Sequence, residues 1–422
     1  MDSTILRLRD SLAKQRNLYV PWTFGVVPIT PTTSTLFYKS QDGTTSSISL
    51  SSTTTAQAED LATVCKPATF GRNGEDVLDL TYRKAGKLDA GDFAWNFNPN
   101  SEVASGLFPW NSLKQGINFE LYKLNVYGKD SFFKAHQDTP RGSNMFGSLV
   151  VILPFEHKGG KLLLRHRGRE HAFDGYATLQ EASVPSAAYI AFYSDIEHEV
   201  SSVESGNRVT ITYNMYFSKA KEPPLFQAPI GSPLEHPFKA ALRSFLENEG
   251  NIKAHPHLGF GLEHAYPFKT AITNPADMHL KGSDAVLVHI LNDLDVEFSF
   301  YLLYILPDYK PEYSSLRLLS KKLLEGPEIL DCENELSSDD RFDRMAVEEG
   351  SFLVSVAESP SRPRWGDWPK LYIESERFKT LPVTWVVLPN NEQLDNSPAM
   401  AYGNEPYVQD FYHQLCIVVT IR

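Results

Sequence analysis

The chain has 422 residues, 42% hydrophobic and 22% charged, the balance of an ordinary globular protein rather than a collagen-like, low-complexity or disordered one. At roughly 100–200 residues per domain, it has room for two or three domains and a sizeable core. A formal net charge of −12 gives no global attraction for nucleic acid, so such binding would need a local basic patch.

Cys65, Cys332 and Cys416 are odd in number, far apart and form no CxxC, which argues against a disulfide scaffold or a thiolate zinc site and fits a reducing compartment. The N-terminal stretch MDSTILRLRDSLAKQRN carries charges throughout and has no apolar run of signal-peptide length. The best apolar stretch elsewhere, Phe298–Leu306, is too short to span a bilayer. A soluble cytoplasmic or nuclear protein, with no membrane partner, is expected.

In chain order, Leu36-Phe37-Tyr38 and Ile48–Leu50 flank Asp42-Gly43 and predict a hairpin, and Ala56–Cys65 predicts a short helix. From Ile117 to Phe217 come short runs rich in β-branched and aromatic residues: Phe119–Tyr127, Ser148–Leu153, Lys161–Leu164, Ala187–Tyr193 and Arg208–Phe217. Turn signals at Gly128, Gly159-Gly160 and Gly206-Asn207 separate them, which predicts an antiparallel sandwich or barrel. The four prolines of Lys221–Pro233 predict a linker, and Phe238, Ala241, Leu242, Phe245 and Leu246 at helical spacing predict a helix after it. Leu316–Leu324 reads as a helix; Ala285–Ile290, Val296–Ile305, Val383–Leu388 and Leu415–Ile421 read as strands. The expected organisation is an N-terminal extension (1–100) packed on the core, a β core (101–220) and a C-terminal α+β unit (221–422).

His136-Gln137-Asp138 is the chemical focus. Alone the triplet is weak: with 12 histidines and 52 acidic residues, about one H-x-D/E is expected by chance. At a strand end, however, residues i and i+2 share a side, so His136 and Asp138 could hold one ion. His198 follows the apolar strand Ala187–Tyr193, and Arg208 opens the next strand ten residues later. Two histidines and one carboxylate on one face leave three positions of an octahedral metal open, the facial triad of non-haem Fe(II) oxygenases. A 2-oxo acid fills two of them, and its distal carboxylate then needs a buried cation. Arg208 suits that role by its planar fork, with Thr210 on the same strand face.

In these residues the sequence resembles the Fe(II)/2-oxoglutarate-dependent oxygenases, specifically the prolyl 4-hydroxylase-like branch and its large fungal members. The resemblance runs through Leu124–Gly128, Phe133–Asp138, Gly159-Gly160, Ala191–Tyr193, His198 and Arg208, about residues 117–217. Segments starting at Cys65 and Tyr402 add to it. It implies a double-stranded β-helix (jelly-roll) core with His136, Asp138 and His198 as catalytic metal ligands and Arg208, Thr210 and Tyr127 around the cosubstrate. The implied cofactors are Fe(II), 2-oxoglutarate and O2, with ascorbate as a candidate stimulant. The implied reaction is oxidative decarboxylation of 2-oxoglutarate to succinate and CO2, coupled to hydroxylation of an aliphatic C–H. The family's halogenases replace the acidic ligand with a small residue, so Asp138 favours hydroxylation.

Peptide or protein side chains of prolyl type are the expected substrate, with a small-molecule metabolite or free amino acid as the alternative. A jelly-roll binding module without catalysis is the reading from a different class. Arg165-His-Arg167-Gly-Arg169, with Lys161, is either a solvated hairpin or a grip on an acidic substrate, and Arg141 is a further candidate substrate contact. Asn125-Val-Tyr127 also matches the nucleic-acid dealkylating branch, but Asn214 stands where that branch has a second arginine, which counts against nucleic acid. His157, His166 and His171 read as surface residues, and His255, His257 and His413 as structural.

Overall fold

The computed structural model describes residues 2–40, 42–72, 75–108, 116–142, 144–218, 236–268, 279–305, 316–321, 351–355, 379–389 and 411–421. The described residues are mostly strand with some helices and form two compact units, residues 20–218 in one, and residues 2–19, 236–389 and 411–421 in the other. The predicted linker 221–233, Cys332 and the segment starting at Tyr402 lie outside the described residues.

The strands of the first unit include β1 (Trp22–Pro28), β2 (Thr35–Lys39), β3 (Thr45–Ser49), β4 (Lys66–Pro67), β5 (Arg83–Lys84), β6 (Gly86–Asp89) and β7 (Ile117–Tyr127). They continue with β8 (Phe132–His136), β9 (Met145–Ile152), β10 (Leu162–His166), β11 (Arg169–Phe173), β12 (Ser186–Tyr193), β13 (Glu197–Val200) and β14 (Arg208–Phe217). The larger antiparallel sheet runs β1-β12-β9-β14-β7-β6-β4, and the smaller runs β11-β10-β13-β8-β5. Leu124, Val126, Leu149 and Ile190 of the larger sheet share one core with Phe133, Leu162, Leu164 and Val200 of the smaller, as in a jelly roll. Each fully buried aliphatic side chain there contributes about 1.5–3 kcal/mol.

The β2–β3 hairpin forms where Asp42-Gly43 predicts it. Gly43 takes φ +86°, and the Asp42 carboxylate accepts from the Thr44 amide at 2.9 Å. The helix predicted at Ala56–Cys65 is Thr55–Val64, begun by a capping box in which Thr54 and Gln57 satisfy each other's backbone amides. Gly160 takes φ +65°, and a Cβ there would stand 2.8 Å from Arg208 Cδ and from Val203 Cγ2. A side chain at this turn would therefore displace Arg208.

Residues 1–100 do not behave as one extension. Residues 20–100 supply strands to both sheets of the first unit: β1 pairs in antiparallel register with β12 from Trp22↔Phe192 to Pro28↔Ser186, and β5 closes the smaller sheet. As an edge strand, β1 tolerates Pro28, which has no amide to donate. Helix α1 (Ser3–Arg16) belongs to the second unit, where Ile5, Leu8 and Leu12 pack with Phe238, Leu242 and Phe260. That spacing places one apolar stripe inward on an otherwise charged helix.

The second unit is built on a seven-stranded sheet that includes His257–Phe268, Phe298–Ile305, Leu316–Ser320 and Phe411–Thr420, with the predicted helix at Pro237–Leu246. Two readings are corrected here. Ala285–Ile290, expected as a strand, lies within the helix Gly282–Asp293, where Val286, Leu287, Ile290 and Leu291 form the buried face. A short all-apolar run has no periodicity to separate buried strand from buried helix. Leu316–Leu324 was expected as a helix, but Leu316–Ser320 is a strand, antiparallel to Leu302–Ile305. Long-range pairing there outweighs leucine's helix propensity. Among the described residues no helix is long and apolar enough to cross a membrane.

Candidate active site

The smaller sheet places the three candidate metal ligands. On antiparallel strands β8 and β13, His136 stands directly opposite His198, with ring centroids 4.2 Å apart. Asp138 follows two residues after the end of β8, and its amide donates to the Ser194 carbonyl at 3.2 Å. One donor atom from each of His136, Asp138 and His198 falls within 4.8 Å of the others, and all three residues are buried. Asp138 Oδ1 lies 3.7 Å from His198 Nε2.

The surroundings fix which atoms are available. His136 Nδ1 donates to the Lys134 carbonyl at 2.8 Å, and His198 Nδ1 donates to the Ile196 carbonyl at 2.9 Å. Each imidazole thus keeps its Nε2 lone pair for a metal. Burial holds the His136 pKa well below its ordinary value; His198 and Arg83 push the same way, against the pull of the Lys134 carbonyl. Neutral imidazole is the ligating form. Ser148 Oγ donates to Asp138 Oδ2 at 2.5 Å and so turns Oδ1 toward the histidines. The donor set of two imidazoles and one carboxylate fits iron.

A cavity of about 60 Å³ opens beside these residues. Its larger-sheet wall follows the β7–β14 register, in which Tyr127 faces Arg208, Asn125 faces Thr210 and Lys123 faces Thr212. Arg208 is 3% exposed and its guanidinium carbon lies 5.4 Å from the Tyr127 ring centroid. Among the described residues no carboxylate forms an ion pair with it. Burial lowers its pKa from the ordinary value, yet an arginine stays charged in a protein. An uncompensated buried guanidinium is costly unless a ligand supplies the anion.

Several lining residues escaped the sequence reading. Lys123 had a usable signal, since it lies at i−4 from Tyr127 on an alternating strand. A bulge between Leu121 and Lys123 then brings Tyr122 to the cavity as well. Ser148 and Arg83 had no local signal, because each reaches the site from a distant strand. Arg83 faces Phe133 across β5 and β8, with its guanidinium 4.3 Å from that ring. Phe133 in turn stacks on His136 with centroids 3.6 Å apart and planes 24° apart. Replacing Ser148 by alanine is expected to weaken Fe(II) affinity by about 10–100-fold, the usual cost of losing a partner that orients a ligand. Metal titration of the variant checks it.

The arginine cluster behaves differently from its substrate-grip reading. Arg165 bonds to Glu170 at 2.8 Å, Glu199 at 3.0 Å and Glu197 at 3.3 Å, so its charge is neutralised on the hairpin. Arg167 takes φ +51° at the hairpin tip and is exposed. Neither lines the cavity. Arg141 lies with its guanidinium 4.4 Å from the ring of Tyr122, a lining residue.

His157 and His166 are buried rather than on the surface, while His171 stacks on Trp22 and Phe24. Burial pulls His157 down to about 4, and Arg208 adds to the effect. Below the ordinary value of 6.5 the unfolded chain binds a proton at this position that the folded chain refuses until about pH 4. His157 should therefore cost the fold about 1.4 kcal/mol per pH unit as pH falls through that window. Urea unfolding of wild type and His157→Asn at pH 7 and pH 5 checks it: the difference between the two proteins should shift by about 2 kcal/mol.

Residues 122–216, the segment holding all of these motifs, match the family model of the 2OG-Fe(II) oxygenase superfamily. This segment is a 2OG-Fe(II) oxygenase domain. The oxygenase domain makes the chain a dioxygenase that uses Fe(II), 2-oxoglutarate and O2, and its buried triad fits the iron. No curated protein matches the chain in sequence. Solved structures similar to it include a 2OG-Fe(II) oxygenase family oxidoreductase from Burkholderia pseudomallei, at 18% identity and TM-score 0.24 over 50% of this chain and 90% of that one. A Pseudomonas putida prolyl-4-hydroxylase is 18% identical at TM-score 0.28, covering 51% of this chain and 99% of that one. A Trichoplax adhaerens prolyl hydroxylase, in complex with a hypoxia inducible factor oxygen degradation domain peptide fragment, is 17% identical at TM-score 0.27, covering 53% and 94%.

Proposed function

We propose that the chain hydroxylates an aliphatic C–H of a peptidyl, prolyl-type side chain, with His136, Asp138 and His198 holding the iron and Arg208, Thr210 and Tyr127 receiving 2-oxoglutarate. The observation that carries the reading is one cavity shared by a buried donor triad and a buried arginine without a counter-ion. Iron, when bound, would activate O2, which is the oxidant: one oxygen atom ends in the hydroxyl group and the other in succinate as 2-oxoglutarate loses CO2. The chain's part is positional. The two backbone-held histidines and the Ser148-held carboxylate keep three donors on one side and leave the other side for cosubstrate, O2 and substrate. Arg208 accepts the distal carboxylate in a dry setting where a charge-assisted pair is strong. Phe192, Leu162 and Val200 line the cavity with apolar surface that limits water.

Asp138 supports hydroxylation, because the position a halide would need is taken by its carboxylate. The intact, buried triad counts against a module that only binds. The prolyl part of the reading rests on the pattern from Tyr127 to Arg208. Incubating the protein with Fe(II), 2-oxoglutarate, O2 and a library of proline-containing peptides tests it. Succinate formation coupled to the gain of one oxygen on a peptide is the expected result. Coupled turnover only with non-peptide substrates would overturn the peptidyl assignment.

A further inference from the structure

Among the described residues that line the cavity, Arg83 is the only cation carried by the smaller sheet, which also carries His136 and His198. Three neighbours hold it. Its terminal nitrogens donate to the Thr69 carbonyl at 2.7 Å and to Asn125 Oδ1 at 2.9 Å, and its guanidinium carbon stands 4.3 Å from the Phe133 ring centroid. Phe133, 3% exposed, stacks in turn on His136. A fixed positive charge thus sits one ring away from a candidate metal ligand.

None of these three neighbours is charged. Arg83 is 4% exposed, its buried Nε has no hydrogen-bond partner, and among the described residues no carboxylate pairs with it. Arginine keeps its charge inside a protein. An apolar side chain of similar volume often serves packing as well as a buried ion does, or better. Packing therefore does not account for this side chain, and the group its charge stands beside is the iron site.

We infer that Arg83 is a positioning residue that acts across Phe133 and His136 on the metal, where its uncompensated charge favours Fe(II) over Fe(III). The inference rests on His136 as an iron ligand, as proposed above, and goes beyond it by assigning control of the metal's oxidation state. A positive charge opposes a trivalent ion by one charge–charge interaction more than a divalent ion, and a buried setting screens that difference little. The step it opposes is the transfer of one electron from Fe(II) to O2, which departs as superoxide. One electron from an ascorbate-type reductant reverses that step. With Arg83 in place, fewer chains are lost to the ferric form between turnovers.

The test is a redox titration of the whole iron-loaded protein with 2-oxoglutarate present, followed by the ferric EPR signal, on wild type, Arg83→Met, Arg83→Gln and Arg83→Lys. Both neutral variants should have a lower midpoint potential. The drop should match a preference for Fe(III) over Fe(II) raised at least about tenfold, the scale of one unit-charge interaction at an effective dielectric constant of about 20. Their ferrous forms should also oxidise faster in air. Arg83→Lys keeps the charge and should stay closer to wild type than either neutral variant. A side chain that merely propped His136 in place would behave differently: its loss would release Fe(II), and Arg83→Lys would fail as Arg83→Met does. An unchanged or raised potential in both neutral variants, or loss of iron from both, overturns the inference. Iron at the wild-type level in His136→Ala would instead count against the iron-site reading on which it rests.

Discussion

Alanine at His198 is expected to abolish iron retention and to cut 2-oxoglutarate-dependent succinate formation by at least about 100-fold. Loss of a partner that merely orients a metal ligand costs about 10–100-fold, so loss of a ligand should cost more. His198 is one of only three candidate donors among the described residues, and it faces His136 directly across two strands. The fold should survive, because β13 is held between β8 and β10 by its backbone. Iron analysis after gel filtration, beside a thermal unfolding curve, separates the two effects. Iron content at the wild-type level would remove His198 from the site.

At Arg208 the large effect should fall on the cosubstrate and not on the metal. Arg208→Ala is expected to raise the 2-oxoglutarate concentration for half-maximal turnover by about 30-fold or more, the equivalent of about 2 kcal/mol for a buried charge-assisted pair. Iron affinity should hold, since Arg208 touches none of the three donors. Arg208→Lys should recover only part of the loss, because an ammonium lacks the planar fork that meets both carboxylate oxygens. Initial rates across a 2-oxoglutarate series, with iron saturating, check both variants. An unchanged requirement in Arg208→Ala would sink the anchor.

The site was legible where its chemistry lies in short stretches of sequence. His136 and Asp138 are two residues apart, His198 follows the apolar run Ala187–Tyr193, and Arg208 opens the β-branched run of β14. Alternation along β14 placed Thr210 beside Arg208. The residues that escaped reach the site by long-range pairing. Arg83 comes from a two-residue strand and faces Phe133, fifty residues on, and Ser148 meets Asp138 from a different strand, β9. The Arg165 stretch stays open between hairpin and grip in sequence because the three glutamates that pair with Arg165 lie on both neighbouring strands. In the second unit, Ala285–Ile290 is too short and apolar for a clear period and Leu316–Leu324 carries leucines at helical spacing, yet tertiary partners and not local pattern choose helix for the first and strand for Leu316–Ser320. Residues 2–19 read as part of the N-terminal extension because they carry charge throughout, yet their few apolar side chains at helical spacing belong to the second unit's core.

The most direct measurement is a titration of 2-oxoglutarate into the anaerobic Fe(II)-loaded protein, read as a visible charge-transfer band. A chelate on the His136–Asp138–His198 iron anchored by Arg208 predicts one band that saturates at one equivalent of each per chain. It should be absent in His198→Ala and shifted to higher 2-oxoglutarate in Arg208→Ala. No band in wild type, or a band that persists in His198→Ala, would contradict the site.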